Sequence, residues 1–430
     1  MKNDAIAAVR GRQVWDSRGR PTVEADVVLE SGVVGRAIAP AGASRGIYEA
    51  VELRDGGERQ GGYGVDAAVA NVNAIIAEAL RGMDVSNQAA IDRALEDADG
   101  TRNLSRLGGN AIVAVSLAAL HASAASAGVP LWRYLSGGKP VRIPLPEIQI
   151  FGGGAHAGRR TDIQDFMVMM PGADTVRHAL EITGDVYRAA GKLMADDNLL
   201  AGTADEGGWW PNFSSNEQAL EKLTLSIERA GYKPGHDVFI SLDIASSEFH
   251  IDGAYRMGLD GSALDTHAMV SLMKLWCDRY PVISIEDPVG QTDFAGMVEA
   301  TAALKTGAQV VGDDFLVTDA TRVKDAAAAG ACTTALIKVN QVGTVSRAKA
   351  ALDAAKAAGW GSIVSARSGE TEDISIAHLA TGWDAGQIKV GSFARSERMA
   401  KWNELLRIEE ELGADARFAG WDAFPKGIKR

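Results

Sequence analysis

Six short β-rich runs in the second half of the chain each lead to a charged or polar side chain. VFISLDIA (238–245) leads to Asp243, VISIEDP (282–288) to Glu286 and AQVVGDD (308–314) to Asp313. TALIKVN (334–340) leads to Lys338, SIVSARS (362–368) to Arg367 and Ser368, and GQIKVG (386–391) to Lys389. A single charge at a strand end is ordinarily a solvated loop residue. Six in succession, ordered acid, acid, acid, lysine, arginine, lysine, need another account. Three carboxylates that converge without a counter-ion repel one another and raise their own pKa values. A divalent cation removes that problem, and oxygen ligands with no His or Cys cluster nearby favour magnesium over zinc. A free lysine, with a pKa of about 10.4, is a poor base at neutral pH. Close to another ammonium and a metal dication, its neutral form becomes accessible. The chemistry this suits is removal of a proton next to a carboxylate. That step builds a second negative charge on the substrate, which metal ions aimed at its oxygens stabilise.

These side chains need a scaffold that gathers strand ends. Alanine-rich helical segments such as 344–358 separate most of the runs, which reads as parallel βαβ units. The strands are almost continuously apolar, as expected when both sheet faces are covered. The pattern suits a closed (β/α) barrel, whose C-terminal strand ends form one ring where active sites sit; a doubly wound open sheet is the alternative. The first third reads differently. Residues 21–30, PTVEADVVLE, alternate as a half-buried strand with Val23, Ala25, Val27 and Leu29 inward. A turn at Ser31-Gly32 leads to a second strand, VVGRAIAP, making a hairpin. Helical stretches follow at 65–81, at 86–97 with Ser86 as N-cap, and at 108–127. Strands followed by helices without alternation indicate a small α+β domain. The Gly-Gly-Lys-Pro break at 137–140 is the linker, dividing the chain into 1–137 and 138–430.

The chain has 430 residues, 46% hydrophobic and 23% charged, with a net charge of −12. Two domains are the default at this length. The negative charge argues against nucleic-acid or anionic-membrane partners. No signal peptide and no apolar run of about 18 residues stand out, so a cytoplasmic protein that does not span a membrane is expected. The only cysteines, Cys277 and Cys332, read as two reduced core thiols.

Long stretches of both domains resemble the enolase family. They include WDSRGRPTVEADV (15–27), GNAIVAVSLA (109–118), DEGG (205–208), AGYKPGHDVFISLDIASSEF (230–249), SIEDP (284–288), VGDD (311–314), IKVNQVGT (337–344), RSGETED (367–373) and ARSERMAKWNELLRIEEELG (394–413). The resemblance implies an α/β protein, an enolase-like (β/α)8-type barrel preceded by a small α+β lid domain. A lysine base beside magnesium is the known arrangement of enolase-superfamily sites, so the resemblance carries the roles. Asp243, Glu286 and Asp313 match ligands of one magnesium, and Ser44, in the loop GASRG, matches the mobile ligand of a second, bound with substrate. Lys338 matches the base and Glu206 the acid that assists departure of the β-hydroxyl. Lys389 matches the residue that holds the substrate carboxylate, and Arg367 and Ser368 match the phosphate-binding pair. His156, Gln164 and Asp165 fall at substrate-contacting positions. The implied substrate is a small phosphorylated carboxylate such as 2-phosphoglycerate, and the implied assembly is a homodimer or larger.

The departures are as informative. The family's Ser-Thr-Gly lid is Ser44-Arg45-Gly46 here, and its Gln-Glu-Phe is Gln164-Asp165-Phe166. A His-Arg-Ser trio is Ala366-Arg367-Ser368, and an asparagine-rich stretch is Arg159-Arg160. The usual Phe-Ala after DEGG is Trp209-Trp210, and Glu-Asp-Gly is Glu286-Asp287-Pro288. Drift is one reading of these changes. The other is a larger, more anionic substrate, as in the carboxyphosphonoenolpyruvate synthases of phosphonate pathways, with Ala366 opening space and Arg45, Arg159 and Arg160 adding charge at the mouth. A scaffold protein on a dead enolase frame is expected to have lost a ligand or the base, and none is lost. An acid-sugar dehydratase or racemase does not need Ser44, DEGG or Arg367-Ser368.

Overall fold

Apolar residues at every second position of PTVEADVVL place a strand where the alternation predicts one. The computed structural model describes residues 4–43 and 45–428. In it β1 (Ile6–Trp15), β2 (Pro21–Leu29) and β3 (Val34–Ile38) form an antiparallel sheet with β2 in the centre. The expected hairpin is β2–β3; β1 was not anticipated, because Arg10, Gly11 and Arg12 interrupt its apolar pattern. β2 is buried on both faces rather than one. Its second face carries Glu24 and Asp26, which Arg12 and Arg36 pair with and cover.

The helix Gly109–Ser126 packs against β2 and β3. It has 18 residues and a mean hydropathy of 1.3, which corrects the expectation that no such run exists. Most of its surface is taken up inside the core, not left for lipid. The helix Gln88–Asp99 is capped by Asn87, whose side chain accepts from the Ala90 N–H, and not by Ser86. Asp84 accepts both the N–H and the hydroxyl of Ser86, which moves the helix start one residue on.

The barrel strands are β4 (Leu145–Gly152), β5 (Asp165–Met169), β6 (Phe239–Asp243), β7 (Val282–Glu286), β8 (Gln309–Gly312), β9 (Thr334–Ile337), β10 (Gly361–Ser365) and β11 (Gly386–Ser392). Each pairs with the next, and β11 pairs with β4 to close the ring. All neighbours are parallel except around β5, which runs antiparallel to β4 and β6. No crossover helix lies between β4 and β5, so the chain returns as a hairpin. Sequence patterning found six of the eight strands. It missed β4 and β5, whose polar residues Glu147, Gln149 and Asp165 are all buried. Inside the barrel Gln309 donates to Gln387 and Ser284, and Ser284 donates to Glu147. Burial pushes the Glu147 carboxyl up to about 7.

A separate short hairpin, Leu200–Thr203 with Trp209–Pro211, attaches to β4. The segment Asp205–Gly208 forms its tip. Trp209 stacks on Tyr187 of the helix Val176–Asp196, and the Tyr187 hydroxyl donates to the Gly207 carbonyl at 2.8 Å. Cys332 is buried and Cys277 half-buried, and neither forms a disulfide.

Gly35 on β3 marks the closest strand–helix approach in the first domain. A Cβ there would lie 2.1 Å from the Ala122 nitrogen and 2.2 Å from the Ala118 carbonyl oxygen, both backbone atoms that cannot rotate away. Gly35→Ala is expected to lower unfolding stability by about 1–3 kcal/mol, the usual cost of overpacking. Gly307→Ala, where a Cβ meets nothing within 4 Å, is expected to leave it nearly unchanged. Urea midpoints of the two variants check this.

Candidate active site

The parallel strands deliver charge to one end of the barrel. Asp243 and Glu286 are the last residues of β6 and β7, and Asp313 and Lys338 follow directly after β8 and β9. Arg367 and Ser368 lie in the loop after β10. Lys389 departs from the expected position: it is the fourth residue of the seven in β11, not its end, because the strand continues to Ser392. It is nonetheless level with Ser365, the last residue of β10, and its ammonium reaches the ends of β6 and β7. It lies 2.7 Å from Asp243 Oδ2, 2.8 Å from Glu286 Oε2 and 3.6 Å from Asp165 Oδ2. Burial alone would lower its pKa, but Asp243 and Glu286 hold it well above the usual lysine value.

One ammonium shared among three carboxylates leaves negative charge in excess. Burial and the Asp243 charge push the Glu286 carboxyl well up despite Lys389. Glu286 Oε1, Gln164 Oε1 and Asp165 Oδ2 are all buried without a hydrogen-bond partner. Orphaned oxygens beside surplus carboxylates fit a divalent cation. Asp313 is balanced locally: Lys338 pairs with Oδ2 and Gln341 donates to Oδ1 at 2.8 Å. Its backbone N–H and that of Asp314 both donate to Asp287, which adopts a left-handed φ of 41°. Among the described residues, the groups whose ligand atoms approach within 4.8 Å are His156–Asp165–Glu206 and Asp287–Asp313–Asp314. In this arrangement the lysine ammoniums sit among Asp243, Glu286 and Asp313.

A histidine relay faces this cluster. His156 Nδ1 lies 3.2 Å from Asp165 Oδ1, and Nε2 lies 3.0 Å from Ser368 Oγ and 3.8 Å from Glu206 Oε1. Burial depresses the imidazolium, but Glu206 and Asp165 outweigh it and raise its pKa to about 9. The same charge holds Asp165 well below the usual carboxylate range against its own burial. Gln164 donates to Asp243 at 3.2 Å. His156, Gln164, Asp165, Glu206, Asp243, Lys338, Arg367, Ser368 and Lys389 line one cavity, together with Ala366.

Ser44 lies outside the described residues. Arg45 is exposed, 4.0 Å from Glu52. Arg159 turns to Glu248 at 2.9 Å and Arg160 donates to Asn212 at 2.7 Å. None of the three arginines lines the cavity. Several contributors had escaped the sequence reading. Glu49, from the first domain, pairs with Arg367 at 3.0 Å. Gln149 donates to Asp165, and Arg398 donates to the carbonyls of Arg367 and Ser368. Glu49 and Arg398 carry no local signal, since their partners are hundreds or tens of residues away. Gln149 could have been suspected from a polar residue inside an otherwise apolar strand.

Residues 6–135 match the family described as the enolase N-terminal domain, and residues 140–426 match the enolase C-terminal TIM barrel domain.

The raised His156 pKa has a consequence for stability. A group held above its unfolded value of 6.5 stabilises the fold fully below that pH and loses the contribution as pH rises through about 9. In chelator-treated protein, His156→Gln is expected to remove about 3 kcal/mol of the stability loss between those limits. Denaturant unfolding of both proteins at about pH 6 and about pH 9.5 measures the difference.

Proposed function

Because the chain belongs to the enolase family, we propose that this enolase-superfamily enzyme acts as a hydro-lyase on 2-phosphoglycerate or a close phosphorylated carboxylate. The reaction removes the α-proton and expels the β-hydroxyl, leaving a phosphoenolpyruvate-type product. The observation that carries the reading is that Lys338 and Glu206, from unrelated parts of the chain, line the same buried cavity as Arg367, Ser368 and Lys389. A base, an acid and three anion-binding groups thus converge on one cavity.

Asp243, Glu286 and Asp313 would hold one magnesium, with Ser44 joining a second when substrate is bound. Such ions would supply the positive charge that stabilises a doubly negative carboxylate. Lys389 orients the substrate carboxylate, and Arg367 and Ser368 take the phosphate. Arg367 is kept in place by Glu49 and by Asn340 at 3.1 Å. Protonated His156 donates to Ser368 Oγ, which leaves the hydroxyl proton of Ser368 for an anion. Lys338 is held charged in this structure: burial lowers its pKa, but Asp313 raises it more. It becomes a base only as Asp313 is otherwise engaged. For Glu206 to donate to the leaving hydroxyl it must first take up a proton, and the His156 imidazolium 3.8 Å away is the nearest source.

A second reading, a specialised enzyme acting on a larger and more anionic substrate of the carboxyphosphonoenolpyruvate kind, is favoured by Ala366. This small side chain lines the cavity where the family carries an imidazole. The three arginines give it no support, since they face other partners.

Variants of the base and acid test the shared mechanism, and a variant of Ala366 tests the second reading. Lys338→Ala is expected to abolish exchange of the substrate α-proton with deuterated solvent. Glu206→Gln is expected to lose elimination by about 10²–10⁴-fold while exchange stays measurable. Chelation should silence both reactions in the parent protein. Wild-type exchange in the Lys338 variant, or in chelated enzyme, would defeat the assignment. For the second reading, Ala366→His is expected to raise 2-phosphoglycerate turnover about tenfold or more, followed by ultraviolet absorbance of the enol product; unchanged turnover would remove its support.

A further inference from the structure

Gln149 lies behind the cavity wall and links Asp165, which lines it, to the backbone of the tip that carries Glu206. It lies on β4 and is fully buried. Its Nε2 donates to Asp165 Oδ1, and its Oε1 accepts the Gly208 N–H at 2.9 Å. The amide orientation is dictated by its neighbours: the carboxylate only accepts and the backbone N–H only donates. The pairing register of β4 with β5 slips between Gln149 and Phe151, so Gln149 opposes Met167 and reaches Asp165 diagonally. Space around the amide is close-fitted. A Cβ on Gly208 would lie 2.3 Å from Gln149 Oε1, and one on Gly152 would lie 2.5 Å from the Ala204 Cβ. The hairpin tip that carries Glu206 therefore rests on Gln149. Ser392 adds a second tie, donating its hydroxyl to the Gln149 carbonyl at 2.5 Å and its N–H to the Glu206 carbonyl at 2.9 Å.

We propose that Gln149 is a positioning residue, which sets the distance between the Glu206 tip and the His156–Asp165 pair by spanning from Asp165 to the Gly208 backbone. The inference deepens the reading of Glu206 as the leaving-group acid and rests on it. The span is a sum of two side chains. Gln149 supplies the longer arm and Asp165 the shorter, in a site with no room to stretch. Shortening the first or lengthening the second displaces the tip by about one C–C bond, about 1.5 Å. Doing both restores the sum. A misplacement on that scale at a catalytic group costs on the order of 10²-fold, and the cost should fall on the elimination step, which uses Glu206, rather than on proton removal by Lys338.

The test compares Gln149→Asn, Asp165→Glu and the double variant in the full-length protein with magnesium and 2-phosphoglycerate. Each single variant is expected to lose about 10-fold or more in kcat for elimination, and Gln149→Asn to keep KM and α-proton exchange within about threefold of the parent. The double variant is expected to recover most of the lost kcat. A second readout needs no substrate: the His156 ring titration followed by NMR. Gln149→Asn is expected to move its midpoint upward, because Asp165 no longer shares its charge with the amide, and the double variant to return it. Parental kcat in both single variants, or losses that simply add in the double, would overturn the inference. If the parent neither exchanges the proton nor eliminates, the functional reading fails instead. The His156 titration then decides the positioning role alone: a midpoint unmoved by Gln149→Asn overturns it.

Discussion

Charge balance at the C-terminal end of the barrel is the constraint on which the rest of this structure depends. Asp165, Asp243, Glu286, Asp287 and Asp313 are all buried there, with Lys338, Lys389, Arg367 and His156 among them. Removing ions of this kind from water costs several kcal/mol each unless each finds an opposite charge or a full set of hydrogen bonds. The balance is incomplete. Lys389 serves two carboxylates at close range and a third at longer range, and Glu286 keeps an unpartnered oxygen. Stability would be better served by an apolar plug, so the cluster is retained for what it does. An incompletely neutralised acidic site is prepared for a cation, and the surrounding ammonium and guanidinium groups are prepared for an anion.

The fold can be understood as the means of holding that cluster. Parallel strands bring the ends of β6, β7, β8 and β9 to one rim in chain order. Closing β11 on β4 brings Lys389 across from Asp243 and Glu286. The one antiparallel strand, β5, starts at the rim instead of ending there. It thereby presents Asp165, its first residue, at the same level as Asp243, with which it is paired in register. The first domain contributes more than a cover, since Glu49 reaches Arg367 and Asp373 accepts the Ile38 N–H across the domain boundary. Those two contacts fix the β10 loop from the outside, and Arg398 fixes its carbonyls from below.

The same arrangement divides labour between two sides of the cavity. One side, Lys338 with Asp313 and Gln341, controls whether a lysine carries its proton. The other, His156 with Asp165, Ser368 and Glu206, keeps an imidazolium charged in a dry site. The Gln149 amide ties this second side to the Gly208 backbone. Under the proposed function these two sides would serve its two steps, with the proton taken at one wall and the hydroxyl lost at the other.

The sequence by itself determined which strands lead to charge and in what order, and narrowed the scaffold to a closed barrel or a doubly wound sheet, because apolar runs followed by acids and lysines are local patterns. It also located the first domain's hairpin, whose alternation is set within a few residues, and a helical stretch at 108–127, but not that this helix is buried almost all round. It did not reveal β4 and β5, whose Glu147, Gln149 and Asp165 break the apolar signal and are buried beside polar partners from other strands. Nor did it show that Lys389 sits inside a strand, that Arg159 and Arg160 turn to partners outside the cavity, or that Glu49 and Gln149 brace side chains that line it. Those facts depend on which distant side chain supplies the opposite charge or the hydrogen-bond partner. Electrostatic pairing between residues as far apart as Glu49 and Arg367 leaves no periodic trace in the chain, and only closing the barrel decides it.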